Sequence, residues 1–155
     1  MPAKHMAVAS VVFALHEGKC YVLSVQRHEK KWGRKLILGG AGTIRPKETR
    51  IAALRRELME ELHLEKEDIL EIKPAANVAP KTRAHRGYSA KFYLVQIPFV
   101  KLKRVVSQIN RAPAHFGEVR SARINKVKTL AKKTRLMQPH YRDALPAIRK
   151  KLRRA

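Results

Sequence analysis

Residues 42–64 read GTIRPKETRIAALRRELMEELHL, and no other stretch constrains the chain as tightly. In the helix that this pattern predicts, over about residues 49–62, Glu57, Glu60 and Glu61 stand at i, i+3 and i+4. That spacing puts three carboxylates on one face within about one 5.4 Å turn. Like charges so placed repel, at roughly 0.2–0.5 kcal/mol per pair, and a cation held among them turns the repulsion into binding. Ile51, Leu54, Leu58 and Leu62 recur near helical spacing and are expected to face the core. Arg56 stands four residues before Glu60, able to hold that carboxylate in place. Glu48 lies just before the helix, and Gly39, Gly40 and Gly42 form a loop that lets backbone approach a ligand closely.

Three glutamates on one turn are, by themselves, more often a solvated stripe than a site. The flanking residues reverse that judgement. Gly42, Glu48, Arg56, Glu57, Leu58, Glu60, Glu61 and Leu64 together resemble the signature of the Nudix (MutT-like) hydrolases. That signature is Gly, five residues, Glu, seven residues, then Arg-Glu-aliphatic-x-Glu-Glu-x-Gly-aliphatic. One position departs: His63 stands where the family has Gly. Such a Gly ends the helix in the left-handed conformation, which costs a His about 1 kcal/mol.

The resemblance implies an α/β fold, a Nudix-type α/β/α sandwich around a mixed β-sheet. It also implies a metal-dependent pyrophosphohydrolase, in which water attacks a phosphorus of a nucleoside diphosphate linked to another group. Mg2+ is the implied cofactor, with Mn2+ as an alternative, because hard cations prefer oxygen ligands and substrate phosphates. Glu57 and Glu61 are the implied direct ligands, and Glu60 is a ligand or the general base. Arg56 would orient a glutamate, and Glu48 would be a supporting ligand or hydrogen-bond partner. Arg27 and Lys35 are candidates for phosphate contacts, and Gly40 and Gly42 for the loop facing the substrate. Family members often carry a further Glu outside the signature; Glu118 is a candidate, with a plain surface Glu as the bland alternative.

Length and composition set the frame for this site. A chain of 155 residues with 45% hydrophobic residues suits one domain, residues 1–155, with a packed core. No run of eighteen apolar residues occurs, so no membrane span is expected, and residues 1–6 carry no signal-peptide pattern. Cys20 is the single cysteine, which fits a reducing cytoplasm. Charge is unevenly spread. Over residues 1–71, Lys and Arg number 13 against 10 Asp and Glu; over residues 72–155 they number 22 against 2. A basic half of this kind attracts polyanions, which makes RNA or DNA candidate partners beside a nucleotide substrate. The alternative is a solvated, highly charged face.

Along the chain, residues 7–15 and 20–27 read as two strands joined by a turn at His16-Glu17-Gly18-Lys19. Residues 28–35 are a polar loop in which Trp32 either stacks on a base or packs over the sheet edge. Residues 36–38 form a short strand that delivers the glycines, and residues 69–76 another strand after an acidic segment. Residues 80–89 are a basic loop carrying Lys81, Arg83, His85, Arg86 and Tyr88. Residues 91–100 give the clearest strand, ended by Pro98. Residues 101–117 read as a loop and residues 119–124 as a strand. Residues 126–133 and 139–152 read as helices, the second kinked or split by Pro146. The seven histidines show no ligand spacing such as HExxH.

Two functions therefore stand side by side. One is a Nudix pyrophosphohydrolase, which in a hybrid form would act on RNA 5′ ends. The other is an RNA-associated module of the same fold with weak or no catalysis. The glutamates favour the first, and the basic half favours some polyanion.

Overall fold

The computed structural model describes residues 5–27, 35–78, 88–117 and 119–155. Trp32, Lys81, Arg83, His85, Arg86 and Glu118 lie outside the described residues. Seven strands form one sheet: β1 (His5–His16), β2 (Lys19–Arg27), β3 (Leu36–Ile37), β4 (Ala41–Thr43), β5 (Glu71–Val78), β6 (Tyr88–Gln96) and β7 (Val119–Lys126). Among the described residues four α-helices accompany them: α1 (Arg50–Leu62), α2 (Phe99–Arg111), α3 (Val127–Leu130) and α4 (Pro139–Leu152).

β1 is the axis of the sheet. It runs parallel to β6 and antiparallel to β2 and β4, so the sheet is mixed. Its first residues pair with β4 and its last with β2, leaving a gap around Ser10 to Val12. The glycine loop fills that gap: the Ser10 amide donates to the Gly40 carbonyl at 2.8 Å and the Val12 amide to the Leu38 carbonyl at 2.9 Å. Val8, Val11, Val12, Val22, Leu23 and Phe92 are fully buried, as β-branched and aromatic residues on a two-sided sheet should be.

Strand alternation assigns the layers. On one face, Tyr21 contacts Phe99 of α2 and Arg27 contacts Glu61 of α1. On the other face, Phe92 meets Tyr141 of α4 edge to face, ring centroids 5.0 Å apart. Helices thus cover both sides of a mixed sheet, the α/β/α arrangement that the signature implies.

Several sequence expectations change here. Residues 101–117 are not a loop: α2 begins at Phe99, directly after Pro98, and ends at Arg111, followed by a 3-10 turn over Pro113–Phe116. Leu102, Val105 and Ile109 are fully buried on one side of α2 while Lys103, Arg104 and Val100 stay outside. The helical spacing of those three apolar residues was hidden among Lys and Arg. The strand before it accordingly stops at Gln96. The helix expected over residues 126–133 is one α turn, α3, continued by a 3-10 segment, Ala131–Leu136. Pro146 sits inside α4 without splitting it. Four residues on either side, Arg142 and Lys150, are exposed, so the freed backbone faces solvent. No helix among the described residues is long and apolar enough to cross a membrane.

Candidate active site

Thr49 caps α1, its Oγ1 accepting from the Ala52 amide at 3.1 Å. At the other end His63 adopts φ 55° and ψ 33°, the left-handed cap that the signature assigns to Gly. The His63 amide donates to the Met59 carbonyl at 3.0 Å and the Leu64 amide to the Leu58 carbonyl at 3.1 Å. The His63 ring stacks on Phe116 at 4.1 Å. The helix end is therefore intact, and ring stacking offsets part of the backbone cost.

Between these caps Ala53, Leu54, Leu58 and Leu62 are buried against the sheet. That anchoring turns the carboxylates toward the glycine loop. Glu57 is itself buried, at 8% exposure. A Cβ at Gly42 would overlap the Glu57 carboxylate, so only glycine leaves it room. A Cβ at Gly40 would sit 3.2 Å from the Glu57 carbonyl oxygen. Gly40 is fixed from beneath by buried Ser10: its amide donates to Ser10 Oγ at 2.7 Å, and Ser10 Oγ donates to its carbonyl at 3.1 Å. The amide of Gly40 is thus engaged with Ser10 and not directed at a substrate.

Arg56 organises the carboxylates. Its Nε and Nη2 form a two-pronged pair with Glu48 at 2.9 and 3.0 Å. Nη1 donates to Glu57 Oε1 at 2.6 Å and Nη2 to the Thr43 carbonyl at 3.0 Å. These bonds from Arg56, then one from the Arg45 amide, hold the Glu48 carboxyl down at about 2. The same bonds, that of Glu48 first, raise the guanidinium further above its ordinary range. Glu60 behaves differently. Its side chain is half exposed, and its nearest cations, Arg56 and Arg45, stand at 3.6 and 3.9 Å.

Glu61 lies well outside its ordinary range. Burial pushes its carboxyl up to about 8; Arg27 opposes this, and the neighbouring Glu57 charge adds to it. Arg27 Nη1 donates to Glu61 Oε2 at 3.4 Å. The neighbouring Glu57 carboxylate helps to raise the Glu61 carboxyl, as one negative charge beside another does. A divalent cation standing between them would relieve that repulsion, and the all-oxygen donor set suits Mg2+ or Mn2+. Among the described residues, no three His, Cys, Asp or Glu side chains converge as a ready cation cage. The residues therefore fit a cation at Glu57 and Glu61, completed by water and phosphate oxygens, more closely than a four-glutamate cage.

The structure brings Glu48, Arg56, Glu57, Glu61 and Arg27 together and leaves Glu60 at the rim. Lys35 is not with them: its Nζ donates to the Arg135 carbonyl at 3.4 Å. Two contributors escaped sequence reasoning, Ser10 and Tyr141. The Tyr141 hydroxyl donates to the Ser10 carbonyl at 2.8 Å, fully buried, with its phenol raised by burial and by the nearby Glu61 charge. Nothing local marks either residue; only the fold sets α4 beneath the glycine loop.

Residues 3–147 match the family profile of the NUDIX domain. A search of curated proteins finds no match to the sequence. Among solved structures the chain resembles the NUDIX domain of Shewanella oneidensis NrtR complexed with ADP ribose. The two share 18% identity and a TM-score of 0.67, over 100% of this chain and 91% of that one. A mutT/nudix family protein from Listeria innocua gives 14% identity and a TM-score of 0.71, over 99% and 97%. A C. elegans Ap4A hydrolase in a binary complex gives 15% identity and a TM-score of 0.65, over 97% and 99%. At such identities the likeness is one of fold.

Proposed function

This chain belongs to the Nudix family and is a Nudix hydrolase, and from that premise we propose that Glu57 and Glu61 are the centre of a pyrophosphohydrolase site. The substrate class is a nucleoside diphosphate linked to another group. The observation that carries this reading is the placement of the Glu57 carboxylate, buried against Gly42 and held by Arg56, with Glu61 beside it on Arg27.

Each residue has a part that follows from its surroundings. Arg56 holds Glu57 in one rotamer, and Glu48, bound by two hydrogen bonds, holds Arg56. Arg27 keeps a positive charge beside Glu61, so that the carboxylate can ionise in a buried place. Glu60 stands at the rim with no cation at hydrogen-bond distance, the carboxylate best placed to accept a proton from water. When bound, Mg2+ or Mn2+ would neutralise the pyrophosphate and lower the pKa of a coordinated water. The protein's remaining contribution is to fix this arrangement in advance, which phosphoryl chemistry mainly needs.

Because proteins of the same fold include a complex with ADP ribose and an Ap4A hydrolase, both compounds belong in a substrate screen. The basic half adds a third class, RNA with a 5′-triphosphate, which would make the enzyme act on RNA 5′ ends. The test measures phosphate release from nucleoside triphosphates, dinucleoside polyphosphates, nucleotide sugars, ADP ribose and 5′-triphosphate RNA, with Mg2+ or Mn2+. Glu57→Gln and Glu61→Gln should each lower the metal-dependent rate at least about a hundredfold while the fold survives, since the lost stabilisation amounts to about 3 kcal/mol or more. Near-normal turnover by either soluble variant would remove this site. A wild-type protein inert on every substrate would favour the binding-module reading.

A further inference from the structure

The hairpin joining β1 to β2 turns at Glu17 and Gly18, and its two faces carry different chemistry. On the side facing α4, a groove of about 480 Å3 runs between the hairpin, the start of α3 and the end of α4. Leu15, Val127 and Leu152 supply apolar wall. Lys19, Lys126, Lys128 and Arg153 supply four cations, all exposed. Among the described residues none of the four makes an ion pair, and no Asp or Glu side chain lines the groove. On the sheet face that Lys19 and Lys126 share with their cross-strand partners His16 and Tyr21 is an aromatic ledge. His16 stacks on Phe99 at 4.2 Å with ring planes 16° apart, Tyr21 lies 5.0 Å from Phe99, and Lys103 Nζ stands 5.4 Å over that ring. The His16 side chain is 45% exposed.

Four uncompensated cations in one groove repel each other, and a chain of phosphates relieves that repulsion while releasing its own counterions. Volume alone does not separate a polymer from a small ligand, since pockets of about 300–1,000 Å3 take whole small molecules. The ledge does separate them. Lys19 and Lys126 stand on its side of the sheet while Leu15 and Cys20 line the other side, so a ligand that uses the rings and also reaches Lys128 and Arg153 must extend over the hairpin end. Stacking on exposed rings needs bases freed from a duplex and is indifferent to their sequence. We propose that this hairpin end binds single-stranded nucleic acid. The phosphodiester backbone lies across Lys19, Lys126, Lys128 and Arg153, and bases stack on His16, Tyr21 and Phe99. The surface is independent of the catalytic reading, because none of these residues belongs to the carboxylate site. It also differs from a general attraction to the basic half, since Lys19, His16 and Tyr21 come from the balanced first half of the chain.

The test is a fluorescence-anisotropy titration of the full chain. The probes are labelled 20-nucleotide oligo(U), oligo(dT) and a duplex, between 50 and 200 mM salt. With four single-strand contacts, affinity should fall about fiftyfold over that range. Lys126→Glu with Lys128→Glu should weaken single-strand binding at least about tenfold and flatten the salt slope by about 1.4. Arg50→Glu with Arg111→Glu changes net charge equally outside groove and ledge, and should cost less than about threefold. His16→Ala should weaken binding with the slope unchanged, because stacking releases no counterions. Circular dichroism melts keep folding separate from binding, and turnover of a small nucleotide should stay at the wild-type rate in all these variants. Tighter binding of RNA than DNA, or the reverse, would support the site and identify its ligand. The proposal is overturned if no strand binds at 50 mM salt, if both charge-reversed pairs lose affinity equally, or if duplex binds as tightly as single strand. It is also overturned if the lysine pair affects only binding to phosphatidylserine vesicles, which would make the groove a membrane-surface contact.

Discussion

Replacing Glu61 by Gln should stabilise the metal-free protein at alkaline pH although it removes a proposed site residue. Burial, with the Glu57 charge adding, raises the Glu61 carboxyl from 4.5 to about 8. A folded-state pKa above the unfolded one means that folding takes up a proton between the two values. The stability so gained is full below about pH 4.5, declines through the window from 4.5 to 8, and is gone above it. A displacement of that size corresponds to about 5 kcal/mol at most, at about 1.4 kcal/mol per unit. Gln carries no charge to bury, but it also gives up the favourable partnership of a carboxylate with Arg27. The net expected gain at pH 8.5 is therefore about 2–4 kcal/mol, with no gain at pH 5. For a chain of this length that is roughly 5–12 °C in melting temperature. The assay is thermal unfolding of both proteins in chelator at pH 5, 7 and 8.5. Other titrating groups are common to both proteins and cancel in the difference. Adding Mg2+ or Mn2+ at pH 8.5 should then stabilise wild type more than the variant, because a ligand that binds only the folded site raises its stability. A melting difference that stays constant from pH 5 to 8.5 would refute the account of Glu61 as a carboxyl raised by its surroundings.

Gly42→Ala places a methyl group on the Glu57 carboxylate, so turnover should fall at least about tenfold while the melting temperature drops by only a few degrees, the cost of an overpacked contact; steady-state kinetics beside a thermal melt will show whether the two separate as expected. At His63, Gly relieves the left-handed backbone but forfeits the ring stack on Phe116, whereas Ala forfeits the stack and keeps the strain. Urea unfolding should therefore place His63→Gly within about 1 kcal/mol of wild type and His63→Ala about 1 kcal/mol below His63→Gly. Equal stabilities for the two variants would mean that residue 63 is not held left-handed.

The sequence by itself determined the signature helix, the shared face of its glutamates and the family, because those depend on local spacing. A period of 3.6 residues fixes which side chains share a face, and Arg56 with Glu57, Glu60 and Glu61 needed nothing further. Strands β1, β2 and β6 were also legible, since runs of Val, Leu and aromatics state their burial directly. α2 was not, because Leu102, Val105 and Ile109 are separated by basic residues, and only the sheet they cover makes them a buried stripe. Tertiary structure also decided what each carboxylate experiences. Glu57, Glu60 and Glu61 are alike in sequence, yet Glu57 lies buried against Gly42, Glu61 is part-buried beside Arg27, and Glu60 stays half exposed. Burial and neighbouring charge set a proton affinity, and both come from distant segments. Ser10 and Tyr141 make the point most plainly: they are 131 residues apart, and one buried hydrogen bond between them links the basic C-terminal helix to the glycine loop.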